Sequence, residues 1–539
     1  RDCLLSRGLG DVYKRQTERQ LGNSSASNSM KKYSMITWEN YFTYNRDFKE
    51  KHSLGITLLQ SIQQDLEETL EASVQNTPSD VLKYYDLASG LLIDGVGSDY
   101  VKWNMASFMG RINYNYLGRY LLTVSARYDG SSRLADGHKW VLFPSAALAW
   151  RISDESFMKS LSWVDNLKLR LGYGKTGNSS VDPYQTRGKL GKKRYVYNNG
   201  ATEIMGYAPS LMANSTLTWE TTDQWNIGLD FGFLKNRING SVELYLQNTH
   251  DLLLERQLPV VSGFSSVMSN VGSTRNKGIE ITLNTRNIQT KNFTWSTDWM
   301  FSANKEEIVE LYNGKSDDIG NRWFIGNPID VYYNYEKIGI WQDTPEDLAE
   351  MAKFNEKGGN FTVGSIRLRD VDGDYKITDK DKIILGNERP KFVASLVNNI
   401  EYKGFDFSIF LYASVGRMLK NDIELMEKPG RANTVKVNYW TPNNPTNDFP
   451  RPNADTETLD YISTIGYDKA DFLRIRNITL GYTLPKDLTQ KVMLNKVRFY
   501  MSANNPFIFT NFTGIDPEGA NGRTSPSYST WMFGVNLSM

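Results

Sequence analysis

Fifteen stretches of this chain alternate apolar with polar side chains, and the pieces that join them alternate short with long. The stretches lie at about 34–45, 52–64, 101–116, 119–129, 141–153, 166–175, 222–234, 237–248, 276–287, 292–304, 390–402, 405–415, 470–483, 495–504 and 530–539. In one of them Trp225, Ile227, Leu229, Phe231 and Phe233 alternate with Asn226, Gly228, Asp230 and Gly232. In another Leu122, Val124, Ala126 and Tyr128 alternate with Thr123, Ser125, Arg127 and Asp129. A period of two places each set on one face of a strand. The short joins fall near Asp47–Lys51, Leu117–Gly118, Asp154–Asp165, Lys235–Asn236, Ile288–Lys291, Lys403–Gly404 and Pro485–Leu494. The long ones are 65–100, 130–140, 176–221, 249–275, 305–389, 416–469 and 505–529.

Strands of soluble sandwiches run about 5–6 residues, whereas a tilted strand needs about 9–11 to cross a bilayer. Gly and charged residues opposite the apolar face suit a wet lumen, and aromatic residues at strand ends suit the two membrane interfaces. Short turns on one rim and long loops on the other are the periplasmic and extracellular ends of a transmembrane barrel. The fold class expected is therefore all-β, a transmembrane antiparallel β-barrel. An odd number of strands with open edges cannot close as a bacterial barrel, so further strands are expected upstream. Residues 1–16 match nothing that follows and carry the only Cys, so they read as a non-native segment, with the barrel portion at 17–539.

Composition narrows the alternatives. A mean hydropathy of -0.48 and the absence of any run of about 18 apolar residues exclude a helical membrane protein. A formal charge of +1 gives no bulk attraction for nucleic acid. One Cys in 539 residues excludes a disulfide scaffold and a cysteine zinc cluster. His52, His138 and His250 stand at unrelated positions, and no Ser/His/Asp, Cys/His or paired-carboxylate constellation can be assembled, so no catalytic residue and no enzymatic activity are assigned. A passive porin or structural barrel is the alternative within the membrane class, and a soluble carbohydrate-binding β-protein is the alternative outside it.

Asp370, Asp372, Asp374 and Asp381 fall at positions 1, 3, 5 and 12 of an EF-hand-like loop, which makes this segment a candidate Ca²⁺ site in an extracellular loop. Tyr375 stands where that pattern has Gly, and Asp381 replaces a longer Glu. Thr344 followed by Pro345 and Asp347 predicts a capped helix over about 345–356. Gly174-Lys175-Thr176 lacks the earlier Gly of a phosphate loop and ends a strand. Trp219, Trp323 and Trp341, with Trp440 and Phe449 in the Pro-rich loop 416–469, are either sugar platforms or packing residues. If the facing assignment holds, Leu244→Arg should cost about 2–4 kcal/mol near mid-bilayer and Glu243→Lys almost nothing.

Seven segments carry a family resemblance. They are GRINYNYLGRYLLTVSARYDGSSRL from Gly110, FPSAALAWRISDESF from Phe143, LKLRLGYGKTGN from Leu167, NKGIEITLN from Asn276, GSIRLRDVDGDYKITDKDKIILGN from Gly364, FLRIRNITLGYTLP from Phe472 and TGIDPEG from Thr513. Together they resemble the SusC/RagA family of TonB-linked outer-membrane proteins. The resemblance implies a plugged barrel of roughly 22 strands in the bacterial outer membrane, of which this chain holds about the last two-thirds. It implies import of large nutrients, glycans or oligopeptides, with a SusD-like surface lipoprotein as lid and energy supplied through TonB. The plug and first strands have no counterpart here. Gly534, Leu537 and Met539 resemble the terminal signal by which barrel-assembly machinery recognises a last strand, although such signals usually end in an aromatic.

Overall fold

The computed structural model describes residues 24–78, 81, 83–197, 202–421, 436–452, 460–519 and 527–538. The segment 1–16 and Met539 lie outside them. One fifteen-stranded antiparallel sheet organises the chain. Its strands are β1 (Ser25–Phe48), β2 (His52–Gln75), β3 (Leu92–Tyr116), β4 (Tyr120–Ser131), β5 (Trp140–Arg151), β6 (Val164–Asn178), β7 (Glu220–Phe233), β8 (Ile238–His250), β9 (Ser273–Gln289), β10 (Phe293–Glu310), β11 (Phe392–Tyr402), β12 (Phe405–Val415), β13 (Phe472–Thr483), β14 (Lys496–Thr510) and β15 (Thr530–Ser538). Each pairs with the strand before and after it, so the sheet is a meander of hairpins. Every stretch expected from the alternation corresponds to one strand. Among the described residues β1 and β15 each pair on one side only, and the barrel is not closed.

The turns follow from local chemistry. Between β11 and β12 only Lys403 and Gly404 remain, with φ of 46° and 90°. A two-residue hairpin needs left-handed backbone at both positions, and glycine takes it without penalty. A Cβ on Gly404 would also come within 2.7 Å of the Thr483 carbonyl oxygen.

Outward and inward faces separate as the alternation requires. On β4, Leu122, Val124 and Tyr128 are exposed while Thr123, Ser125 and Arg127 are half-buried. Two rows of aromatic rings bound the outward face. At the short-turn rim Tyr116 stacks on Tyr120 and Tyr120 on Trp150, at 6.2 and 6.4 Å. Along the same rim Trp163 meets Phe233 and Phe405 meets Tyr482. Toward the long loops Tyr128 stacks on Trp140 at 5.0 Å, and Tyr173 meets Trp225 at 4.7 Å. Tyr120 and Tyr128 on β4, like Phe233 and Trp225 on β7, are eight residues apart. At about 3.4 Å per residue and a tilt of about 35–45° this separates the rows by about 19–22 Å, close to the apolar band of an outer-membrane barrel.

The inward face is polar and paired. Arg170 on β6 reaches across β7 to Asp230 at 2.8 Å and on to Glu243 of β8 at 2.6 Å. Gly228 lies beneath this bridge, where a Cβ would stand 2.7 Å from the guanidinium carbon. Glu243 therefore has a cross-strand partner, and the expectation that Glu243→Lys is almost neutral gives way to the expectation of a cost. Sequence alone gave no register, so the partner was invisible.

A second departure concerns the segment 65–100, expected as a loop. β2 continues to Gln75 and β3 begins at Leu92, with β1 paired in register from Phe48↔His52 to Ser25↔Gln75. Cross-strand pairs such as Lys31–Glu67 at 2.7 Å and Lys32–Glu68 at 3.3 Å decorate this extension. The apolar alternation stops where lipid stops, but the backbone ladder carries on.

Buried apolar clusters lie in the long loops. One gathers Leu134, Phe143, Val181, Leu217 and Trp219. Another gathers Ile340, Ile366, Leu368, Trp440, Phe449 and Ile465. The loop preceding β11 and the loop preceding β13 thus share one core.

Candidate functional site on the long-loop rim

The loop between β10 and β11 builds a platform around Trp341. Helix α1 (Pro345–Glu356) starts where the sequence placed it, with the Thr344 hydroxyl accepting from the Asp347 N–H at 3.3 Å. Met351 and Phe354 on its inner face pack with Trp341, which is 1% exposed. Arg367 lies over the Trp341 ring at 4.6 Å and donates to Asp347 at 2.9 Å, so cap, helix and core are fastened together. Trp219 and Trp440, at 3% exposure each, are likewise packing residues. Trp323 is half-buried.

The Asp-rich segment hangs from this platform. Ligand oxygens of Asp370, Asp372 and Asp374 all lie within 4.8 Å of one another. Asp370 accepts from the N–H groups of Gly373 and Tyr375, both at 2.8 Å, which curls the loop around its own first carboxylate. Tyr375 adopts φ 60°, the left-handed conformation for which the EF-hand pattern uses glycine. That conformation costs roughly 1–2 kcal/mol in a non-glycine residue. The Tyr375 ring is held edge-on to Phe354 at 5.4 Å, and this packing offsets the cost. Asp381 is not grouped with the other three. It is fully buried, and its two oxygens accept from the N–H groups of Val371 and Thr378, each at 2.8 Å. It braces the loop from behind. Three carboxylates with hard oxygen donors on one short turn can hold a divalent cation such as Ca²⁺. Nearby, Lys382 at 2.6 Å holds the Asp379 carboxyl below the ordinary carboxylate range.

At the last hairpin, Gly534 pairs with Tyr500, and a Cβ on it would lie 2.5 Å from the tyrosine ring. Gly534 thus gives the ring its seat on the inner face. Leu537 is 64% exposed and continues the outward row of Trp531, Phe533 and Val535. Gly174-Lys175-Thr176 lies within β6, as a strand segment rather than a phosphate cradle.

One cluster escaped the sequence reading. Arg474 on β13, 2% exposed, donates to Asp516 at 2.7 Å and to the Ser527 hydroxyl at 2.8 Å, and Glu518 lies 3.0 Å from its Nε. Burial alone would raise the Asp516 carboxyl. The Glu518 N–H, the Ser527 hydroxyl and the Arg474 charge bring it instead below its usual value. This latch ties the loop after β14 to the inner wall. The TGIDPEG segment was visible in the sequence, but its partner across the sheet was not.

Residues 5–505 match the family described as TonB dependent receptor-like, beta-barrel. A TonB-dependent receptor of Formosa agariphila is 35% identical over 495 residues, which is 89% of this chain and 48% of its own length. The TonB-dependent receptor SusC of Bacteroides thetaiotaomicron is 32% identical over 468 residues, 80% of this chain and 43% of its own. The solved RagAB peptide transporter superposes with a TM-score of 0.77 at 24% identity, covering 95% of this chain and 56% of that one. At that identity the likeness concerns the fold. The chain spans about half the length of the curated relatives it matches.

Proposed function

The chain belongs to the TonB-dependent receptor-like β-barrel family, and from that premise we propose that it forms the C-terminal wall and outer vestibule of a SusC/RagA-type nutrient importer. It is a protein of the bacterial outer membrane. The observation that carries the proposal is the pairing of a lipid-facing band, bounded by two aromatic rows, with a polar inner wall and loops that are long at one rim only. A soluble sheet has no reason to leave Leu244, 48% exposed, and its neighbours uncovered. Further strands complete the wall, because unpaired strand edges are not tolerated in hydrocarbon. The cargo is a glycan or an oligopeptide, delivered under a SusD-like lipoprotein that docks on the long loops. Energy comes through TonB by way of a plug outside this chain. The barrel-assembly machinery reads the last strand, with Gly534, Leu537 and Met539 in its signal.

The test uses the complete receptor in intact cells. Uptake of its cargo should require the inner-membrane proton gradient and should stop when the gradient is collapsed. Gradient-independent diffusion of small solutes would favour a passive barrel and overturn the reading. We also propose that Asp370, Asp372 and Asp374 bind Ca²⁺, with Asp381 as the brace that shapes the loop. Calorimetric titration of Ca²⁺ should give heat with the wild-type receptor and none with Asp372→Ala; flat traces for both would remove this site.

A further inference from the structure

The outward faces of β9 and β10 carry three cations where these strands leave the apolar band. On β10 the two aromatic rows fall at Phe293, which meets Tyr402 at 6.3 Å, and at Phe301, which stacks on Phe392 at 5.6 Å. They are eight residues apart, the spacing found on β4 and β7. Lys305 stands four residues beyond Phe301 on the same face, about 10 Å further along the membrane normal and at the depth of the outer-leaflet headgroups. Lys277 of β9 lies directly opposite Lys305, and Arg275 opposite Glu307. We propose that this patch binds the headgroup phosphate of an anionic lipid of the outer leaflet. The proposal goes beyond the importer reading and stands whether the barrel works actively or passively.

Charge is the first argument. Like charges directly opposite on adjacent strands repel, yet register sets Lys277 against Lys305, and both are exposed. One carboxylate serves the group. Glu307 lies 3.2 Å from Lys305 and 3.6 Å from Arg275, whose Nε also donates to Asn248 at 3.0 Å. Lys277 forms no ion pair with any of the described residues. Asp223, two strands away on β7, accepts from the Tyr173 hydroxyl at 2.6 Å. Three cations against one carboxylate leave two positive charges, which suits a phosphate monoester. A lone rim lysine would simply extend into water. Two lysines held together by strand register gain from an anion between them.

Position selects a lipid over a free ion or a protein. Directly below the cations the same face is apolar, with Ile279 and Ile281 on β9 opposite Ala303 and Phe301 on β10. This surface is continuous with the lipid-facing band. A ligand whose phosphate sits between Lys277 and Lys305 therefore has hydrocarbon beneath it, and an amphiphile fills both levels at once. A lid protein would cover the lumen from the loops, whereas these side chains point away from the lumen. At this height β9 is paired on both sides, with Leu246 of β8 and Lys305 of β10 flanking Lys277, so the exposure of Lys277 is not that of an open sheet edge.

The complete receptor in detergent, with a chelator present, would be titrated with monophosphoryl lipid A, with the same lipid after removal of its phosphate, and with inorganic phosphate, and bound lipid would be read by native mass spectrometry. Monophosphoryl lipid A should bind saturably. Lys277→Gln or Lys305→Gln should each weaken it about fivefold, and the two together about thirtyfold. Lys291→Gln, in the short turn between the same two strands, should change nothing. Because the double variant removes opposed like charges, it should melt no lower than wild type in the absence of lipid. A lower melting temperature would show that the lysines are already satisfied within the protein and would overturn the argument. Equal affinity for the dephosphorylated lipid, equal weakening by Lys291→Gln, or displacement of the lipid by inorganic phosphate at a matching concentration would overturn it too. So would a double variant that keeps the lipid and instead loses a co-purifying surface lipoprotein.

Discussion

Val124 lies on β4 four residues from Tyr120 and four from Tyr128, midway between the two aromatic rows, and is 43% exposed on the outward face. An arginine there cannot easily reach water. Four residues of tilted strand put either interface about 10 Å away along the membrane normal. On the lipid face of a barrel, arginine costs about 2–4 kcal/mol at the midplane and about 0–1 kcal/mol near an interface. Thr123, the next residue, points to the inner wall, where its hydroxyl donates to Asn113 at 2.9 Å. Thr123→Arg forfeits that bond, worth about 0.5–1.5 kcal/mol, and nothing more. The two variants should therefore differ by about 0.5–3.5 kcal/mol, roughly twofold to three-hundredfold in the folding equilibrium. The assay is urea-dependent folding of the complete receptor into lipid vesicles, followed by heat-modifiable gel mobility. Equal costs, or a larger cost for Thr123→Arg, would refute the assignment of faces and the membrane reading with it.

Three other outcomes follow from named contacts. Glu243→Lys removes an acceptor of Arg170 and adds a like charge beside it, so it should cost about 1.5–3 kcal/mol in the same assay, and Arg170→Met should recover part of that in the double variant. Arg474→Leu leaves Asp516 buried without its cation and should cost about 3–5 kcal/mol, seen as a lowered melting temperature and faster proteolysis of the loop after β14. Because the Asp516 carboxyl titrates below its unfolded value, the latch is intact above about pH 4 and is lost as pH falls further; melting temperatures between pH 7 and 3 should drop less steeply for Asp516→Asn.

The wall was legible because lipid enforces a rule on every second side chain. Leu122 and Val124 cannot be polar, and Thr123 and Ser125 are free to be, so each crossing announces itself. The outward extensions of β2 and β3 obey no such rule. Residues such as Glu67, Glu68 and Asp99 meet water on both faces, and only the backbone ladder marks them as strand. Helix α1 could be read because its cap is local, with Thr344, Pro345 and Asp347 adjacent in sequence. The Asp370 turn was equally local. The Arg170 bridge, the Arg474 latch and the Lys277–Lys305 pair join residues dozens of positions apart. They depend on strand register and loop return, which alternation does not encode.

The same physics explains where selectivity can reside. The Arg170–Asp230–Glu243 bridge and the Arg498–Asp406 pair on the inward face satisfy one another, and these groups have little polarity left to spend on cargo. The loops carry their own buried cores around Trp219, Trp341 and Trp440, so they can hold a side chain rigidly without drawing on the sheet for support. Tyr184 shows the result: its hydroxyl is committed to the β3 backbone, its ring is not, and the loop that presents it is anchored by Val181 in the Trp219 cluster. Exchanging that loop between relatives should therefore move cargo preference while leaving insertion unchanged, whereas exchanging wall strands should do the reverse.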